Sequence, residues 1–224
     1  MGLNANEVAA PKGKSPEQEV LKGSHAARVV QIVDLGLQAR NPYQGQEKPP
    51  VHMIQLTYEL SHEFMKDEDG AVQEDKPRWI NEDFPFHNLE VELAKSTKRY
   101  NVLDAEGTFG GDFTKLVGAP CSLAIVTNAG TGKHKGKTFS NIANVSGVMN
   151  MPGYVQPDLV NEPRVFLLDE PDMEVFGTLP EWIQDKVKGN LEFRGSKLDV
   201  LLNGGEAAAP QEPATEDVGD GDMY

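Results

Sequence analysis

Apolar and polar residues alternate from Ala27 to Leu37: Val29, Gln31, Val33, Leu35 and Leu37 share one face, Arg28, Val30, Ile32, Asp34 and Gly36 the other. Successive side chains of a strand point to opposite faces, so this predicts a long strand, with a bulge or bend at Gly36. From His52 to Leu60 the alternation is cleaner, with Ile54, Leu56, Tyr58 and Leu60 inward and Met53, Gln55, Thr57 and Glu59 outward. The run Lys66-Asp-Glu-Asp-Gly70 predicts a hairpin turn. A third extended segment follows in Arg78-Trp79-Ile80-Asn81 and Phe84-Pro85-Phe86.

The period then changes. Leu89, Leu93, Tyr100 and Leu103 recur at helical spacing, predicting a helix from Asn88 to about Leu103. Asn88 serves as N-cap, Glu90 and Glu92 fall in the first turn, and Lys95, Lys98 and Arg99 lie further along, in the order a helix dipole favours. Beyond Gly107 to Gly111, two β-branched runs, APCSLAIV from Ala119 and FSNIANVSGV from Phe139, flank the loop TNAGTGKHKGKT and predict a hairpin. The order strand, strand, strand, helix, strand, strand is that of an OB-fold, a five-stranded barrel plugged by a helix. The expected class is mainly β, with the barrel domain over residues 22–202.

From about residue 150 an α/β appendage is expected. Val165 to Leu168 reads as a short strand, and Thr178-x-x-Glu181 as a capping box opening a helix through Lys188. Leu191 to Leu202 suits a helix or a strand equally. Residues 1–21 read as a disordered arm and 203–224 as a disordered acidic tail.

Composition changes this picture in one place. The 224 residues carry a net charge of −14, and removing the six acids of the tail leaves the rest at −8. A protein this acidic cannot coat a polyanion by bulk charge, so any anionic partner needs a local patch. That patch exists: from Phe113 to Pro157 there are four lysines, Lys115, Lys133, Lys135 and Lys137, and no Asp or Glu. No apolar run approaches a membrane span, and the N-terminus lacks the apolar core of a signal peptide. Asn6 stands where a myristoylation signal needs Ser or Thr. Cys121, the single cysteine, reads as a buried core thiol and implies a cytoplasmic protein.

Gly130 to Thr138 superficially resembles a phosphate-binding P-loop, but Thr131 stands where the first glycine belongs and strand-like sequence follows where a helix is needed. The five histidines show no ligand spacing, one cysteine builds no zinc site, and no nucleophile motif is present. The chain is read as a binding protein without enzymatic activity or cofactor.

Single-strand binders combine a basic groove with aromatic platforms. In an OB-fold the groove crosses strands two and three, rimmed by the loops joining strands one to two and four to five. Here those loops supply Arg40, Tyr43 and Lys48, and Lys133, Lys135 and Lys137. Arg28, Lys98, Arg99 and Lys115 extend the candidate basic surface, though residues such as Lys98 and Arg99 at a helix end are more often just a solvated face. Trp79 and Tyr43 are candidate stacking residues; Phe84, Phe86 and Phe139 serve equally as core rings or platforms. Tyr58 belongs to the core. In the tail, Glu216, Asp217, Asp220 and Asp222 ending on Tyr224 imitate a run of phosphates and a base. Such a segment could occupy the groove weakly and be captured by basic pockets of replication proteins.

The segments KGSHAARVVQIVDLG, PRWINEDFPFH, KLVGAPCSLAIV, KHKGKTFSNIANVSGV and LPEWIQDKVKGNLEFRGSKL together resemble bacteriophage single-stranded DNA-binding proteins of the OB-fold type, over about residues 22–200. The resemblance implies a protein of the infected host's cytoplasm, coating exposed strands in DNA replication, recombination and repair. It also implies an acidic tail contacting DNA polymerase or other replisome parts. The alternative from another class is an acidic adaptor or structural phage protein that does not bind DNA.

Overall fold

The computed structural model describes Gln18 and residues 20–42, 44–148 and 152–204. Strands β1 (Gly23–Gln38), β2 (Val51–Lys66) and β3 (Val72–Pro85) are followed by helix α1 (Lys95–Leu103), then β4 (Pro120–Ala129) and β5 (Thr138–Ser146). These five strands form one antiparallel sheet in the order β3-β2-β1-β4-β5. The two end strands, β3 and β5, approach each other, so the sheet curls into a half-barrel around its inner face. A short β6 (Arg164–Phe166) adds in parallel to β1 at Gln31–Val33, on the edge β4 has left.

The inner core is the one the alternation of β2 announces. Ile54, Leu56, Tyr58 and Leu60 are buried against Ile80, Phe84, Tyr100, Leu116, Cys121 and Leu123. β1 departs from its expected single face. Its pairing with β2 slips between Val29 and Gln31, so Val30 is the extra residue of a β-bulge. Ala27, Val29 and Ile32 consequently face inward, while Val33 and Leu35 join a second core on the opposite face. The bend expected at Gly36 is present as a second slip after Asp34. Gly36 has φ +71°, and a Cβ there would collide with Leu168 and Asn190.

A polar cluster lies within the inner core. Glu82 accepts hydrogen bonds from Tyr58 Oη, from Arg99 in a bidentate pair at 2.7 and 3.1 Å, and an ion pair from Lys95 at 2.7 Å. Burial alone would raise the Glu82 carboxyl, but these donors outweigh it and hold it below its ordinary value. Burial pushes the Cys121 thiol up to about 12, consistent with an inert core residue.

Helix α1 is shorter than the periodicity suggested. Asn88 closes a turn by accepting from Glu90 N, and the helix begins only after Ala94, leaving Leu93 exposed. Just ahead of β1, Leu21 is buried and Gln18 exchanges hydrogen bonds with the Lys66 backbone.

Residues 152–204 cover the outer face of β1 and β2. Helices α2 (Met173–Thr178), α3 (Glu181–Lys188) and α4 (Lys197–Asn203) pack Phe176, Leu179, Ile183, Val187 and Leu198 onto Val33, Leu35 and Phe166. Thr178 does not cap α3; its hydroxyl donates to Val175 O and closes α2, whose N-cap is Asp172. α3 starts on Pro180, and the undecided segment after Leu191 contains α4, capped by Ser196. No helix among the described residues is long and apolar enough to cross a membrane.

Candidate nucleic-acid interface

β1 pairs with β4 only as far as Gly23 and Ile125. Beyond that point Val126–Ala129 pair solely with Thr138–Asn141 of β5, and the two strands stand out as an arm past the end of β1. Ser140 Oγ ties its base to Leu21 O at 2.9 Å. At the tip, Gly130 N donates to Lys137 O, and a single 3-10 turn spans Gly132–His134. The crossing is tight: a Cβ at Gly130 would run into the His134 carbonyl. The His134 ring meets the Phe139 ring edge-on, with centroids 5.7 Å apart. The tip is therefore a shaped turn, and the segment after it is strand β5 rather than the helix a P-loop requires.

The arm is exposed and cationic. Phe139 and Val126 are 42% and 44% exposed, and Lys135 and Lys137 stand in solvent with no acidic partner among the described residues. Tyr43 and the Lys133 side chain lie outside the described residues, as do the tail residues Glu216, Asp217, Asp220, Asp222 and Tyr224.

The remaining candidates divide. Trp79 sits half-exposed on the outer face of β3, its indole N–H donating to Glu59 Oε2 at 3.1 Å. Phe86 is 41% exposed, packed between His52 and Phe113 at a shallow pocket that also includes His87, Asn88, Leu89 and Gly111. Lys98 is exposed on α1, and exposed Arg40 lines a pocket at the β1–β2 loop. Lys115 is exposed but lies 3.7 Å from Asp112.

Three candidates are structural. Phe84 is fully buried, with Lys95 over its ring, so no base can reach it. Arg99 is consumed by Glu82, because α1 turns that side chain inward rather than to solvent. Arg28 donates to the carbonyls of Gly118, Gln156 and Pro157 and pairs with Asp158, which fastens the C-terminal segment to β1.

The groove floor also differs from expectation. Gln55, Thr57 and Glu59 of β2 point outward, as the alternation requires, yet all three are buried. Glu59 accepts from Val160 N at 2.6 Å, Asn161 N, Asn161 Nδ2 at 2.6 Å and Trp79 Nε1, so residues 160–161 cross this face as a strap. Gln55 donates to Asp83, which in turn pairs with Lys186 of α3. The periodicity of β2 carries no sign of that cover, because the covering residues lie more than 100 positions away.

No family model, no curated protein and no solved structure matches this chain.

Proposed function

We propose that the curled five-stranded sheet is an OB-type half-barrel and that the protein binds single-stranded DNA without sequence preference. The β4–β5 arm makes the principal backbone contacts. The observation that carries this reading is the arm itself: in a chain of net charge −14, unpaired lysines and an exposed aromatic ring stand together beyond the sheet, in a window free of acids. Phosphates would be held by Lys133, Lys135 and Lys137, whose contacts carry no sequence information. Phe139 supplies a face on which a base can stack, contributing about 1–3 kcal/mol per base. The strap over Glu59 and the Gln55–Asp83–Lys186 contacts beside it divert the strand from the middle of β2 toward the sheet's ends. Replication proteins captured by the acidic tail, in an infected bacterial cell, complete the reading.

Fluorescence anisotropy with a labelled 16-residue oligo-dT tests it. The full-length protein should bind, and K133A/K135A/K137A should bind at least tenfold more weakly at low salt. Equal affinity for the two proteins would remove the arm from the site.

A further inference from the structure

Large apolar side chains stand in solvent on the loop between β3 and α1. Phe86 is 41%, Val91 48% and Leu93 84% exposed, and Leu93 is the most exposed large apolar residue among those described. The backbone holds them there. Phe86 N donates to His52 O, His87 N to Ser96 Oγ, Val91 N to Asn88 O and Ala94 N to Val91 O, so the loop is a bracket braced at both ends. Beside it, Phe86, Leu89 and Phe113 line a hollow of about 330 Å³. Exposed apolar patches rimmed by polar groups mark interaction surfaces. Here the rim is acidic. Glu90 and Glu92 are exposed without a cationic partner among the described residues, since neighbouring Lys95 is taken by Glu82. A matching occupant is cationic and carries an apolar or aromatic face.

One segment of this chain has that chemistry. The β4–β5 arm carries exposed Lys135 and Lys137, and its register sets exposed Val126 and Phe139 on one face. The arm cannot reach its own bracket. It leaves the sheet at Gly23, whereas the bracket hangs from His52, which pairs with Leu37 at the far end of β1. Roughly 40 Å of strand separates the two, at about 3.3 Å per residue. Going beyond strand binding and independent of it, we infer that the bracket seats the arm of a second copy of this chain. Phe139 and Val126 lie against Val91 and Leu93, and Lys135 and Lys137 face Glu90 and Glu92. The contact joins two different surfaces, so it permits a pair that makes it twice or an open row. Two chains of net charge −14 repel at long range, which keeps the contact weak and dependent on local fit. Phosphates and these acids compete for the same lysines, so one arm serves a strand or a neighbour, not both.

Sedimentation velocity of the full-length protein without DNA tests this. Wild type is compared with L93E, K135E/K137E, E90K/E92K and the swapped chain E90K/E92K/K135E/K137E. Every substituted position is solvent-exposed, so the variants should keep their fold, checked by circular dichroism. Wild type should associate as its concentration rises. L93E and each one-sided charge reversal should associate about tenfold more weakly, and the swapped chain should return to within about threefold of wild type. A wild type that stays monomeric at every concentration would overturn the inference, as would L93E or K135E/K137E associating like wild type. Loss in both one-sided variants without recovery in the swapped chain would overturn the pairing of these lysines with Glu90 and Glu92. Oligo-dT anisotropy reads the function separately. If K135E/K137E loses oligo-dT affinity while its self-association matches wild type, the function stands and this inference falls.

Discussion

The two faces of β2 are buried almost equally and held by opposite means. The inner face carries Ile54, Leu56, Tyr58 and Leu60 into an apolar core. The outer face carries Gln55, Thr57 and Glu59 under a strap and a helix of the C-terminal segment. On the inner face the gain comes from apolar area removed from water, roughly 25 cal/mol per Å². On the outer face it depends on whether each buried polar atom finds a partner, because an unmade hydrogen bond costs about 1–3 kcal/mol. Glu59 finds four donors. Thr57 Oγ1 and Gln55 Oε1 find none among the described residues. The outer face is thus the less optimised of the two and the one whose cover depends on a few atoms.

The largest effect is expected inside. Arg99→Ala leaves Glu82 buried with only Lys95 and Tyr58, and should cost about 3–5 kcal/mol in urea unfolding. A loss below about 1 kcal/mol would mean that water reaches the carboxylate. Next comes the latch. Glu59→Ala strands the donors of Val160, Asn161 and Trp79 and should cost about 1–3 kcal/mol. Hydrogen exchange should then rise at 160–161 while the inner strands keep their protection; uniform loosening would deny the outer face its separate character.

Thr57→Val sharpens the contrast in the opposite direction. It removes a buried hydroxyl that has no partner among the described residues and keeps the shape, so stability should be unchanged or rise by up to about 1 kcal/mol. A loss above that would reveal a partner for the hydroxyl in solution.

The smallest effect concerns His52 and Asp34, 2.7 Å apart. The hydrogen bond to Asp34 raises His52 above its ordinary 6.5. Burial, the largest single influence, would raise the Asp34 carboxyl, but the His52 hydrogen bond, the Gly36 N–H and the His52 charge together outweigh it and lower that group below 3.8. The Asp34 contribution is present above 3.8 and lost as pH falls through the lowered value. The His52 contribution is complete below 6.5 and lost as pH rises through the raised value. The pair therefore supports the fold best between those limits. His52 is nearly half exposed, so solvent screening keeps the effect under about 1 kcal/mol. His52→Ala should flatten the stability profile across that window by a comparable amount; an unchanged profile would leave the pair without linkage.

Much of the half-barrel was legible because inward residues on β2 and β3 obey the period of two and the turn at Lys66–Gly70 carries its own signal. The β4–β5 hairpin was legible from its β-branched flanks. The slip at Val30 was not, because a bulge inserts a residue without altering composition, and it moved Val33 and Leu35 to the other face. Arg99 and Phe84 misled for one reason: charge and aromaticity predict exposure or stacking only until a partner such as Glu82 or Lys95 takes them. α2 was missed because Asp172, its cap, sits in a run of Pro and acids that reads as loop. The β1–β2 loop cavity required Lys186 and Met53 to meet, and no local pattern encodes a meeting over that separation.

The central claim is that the lysine-tipped arm carries the phosphate contacts. Its most direct measurement is the salt dependence of oligo-dT affinity for wild type and K133A/K135A/K137A. Each single-strand phosphate contact contributes about 0.7 to the slope of log K against log salt, so the variant's slope should be shallower by about 2. Identical slopes, whatever the affinities, would contradict the account.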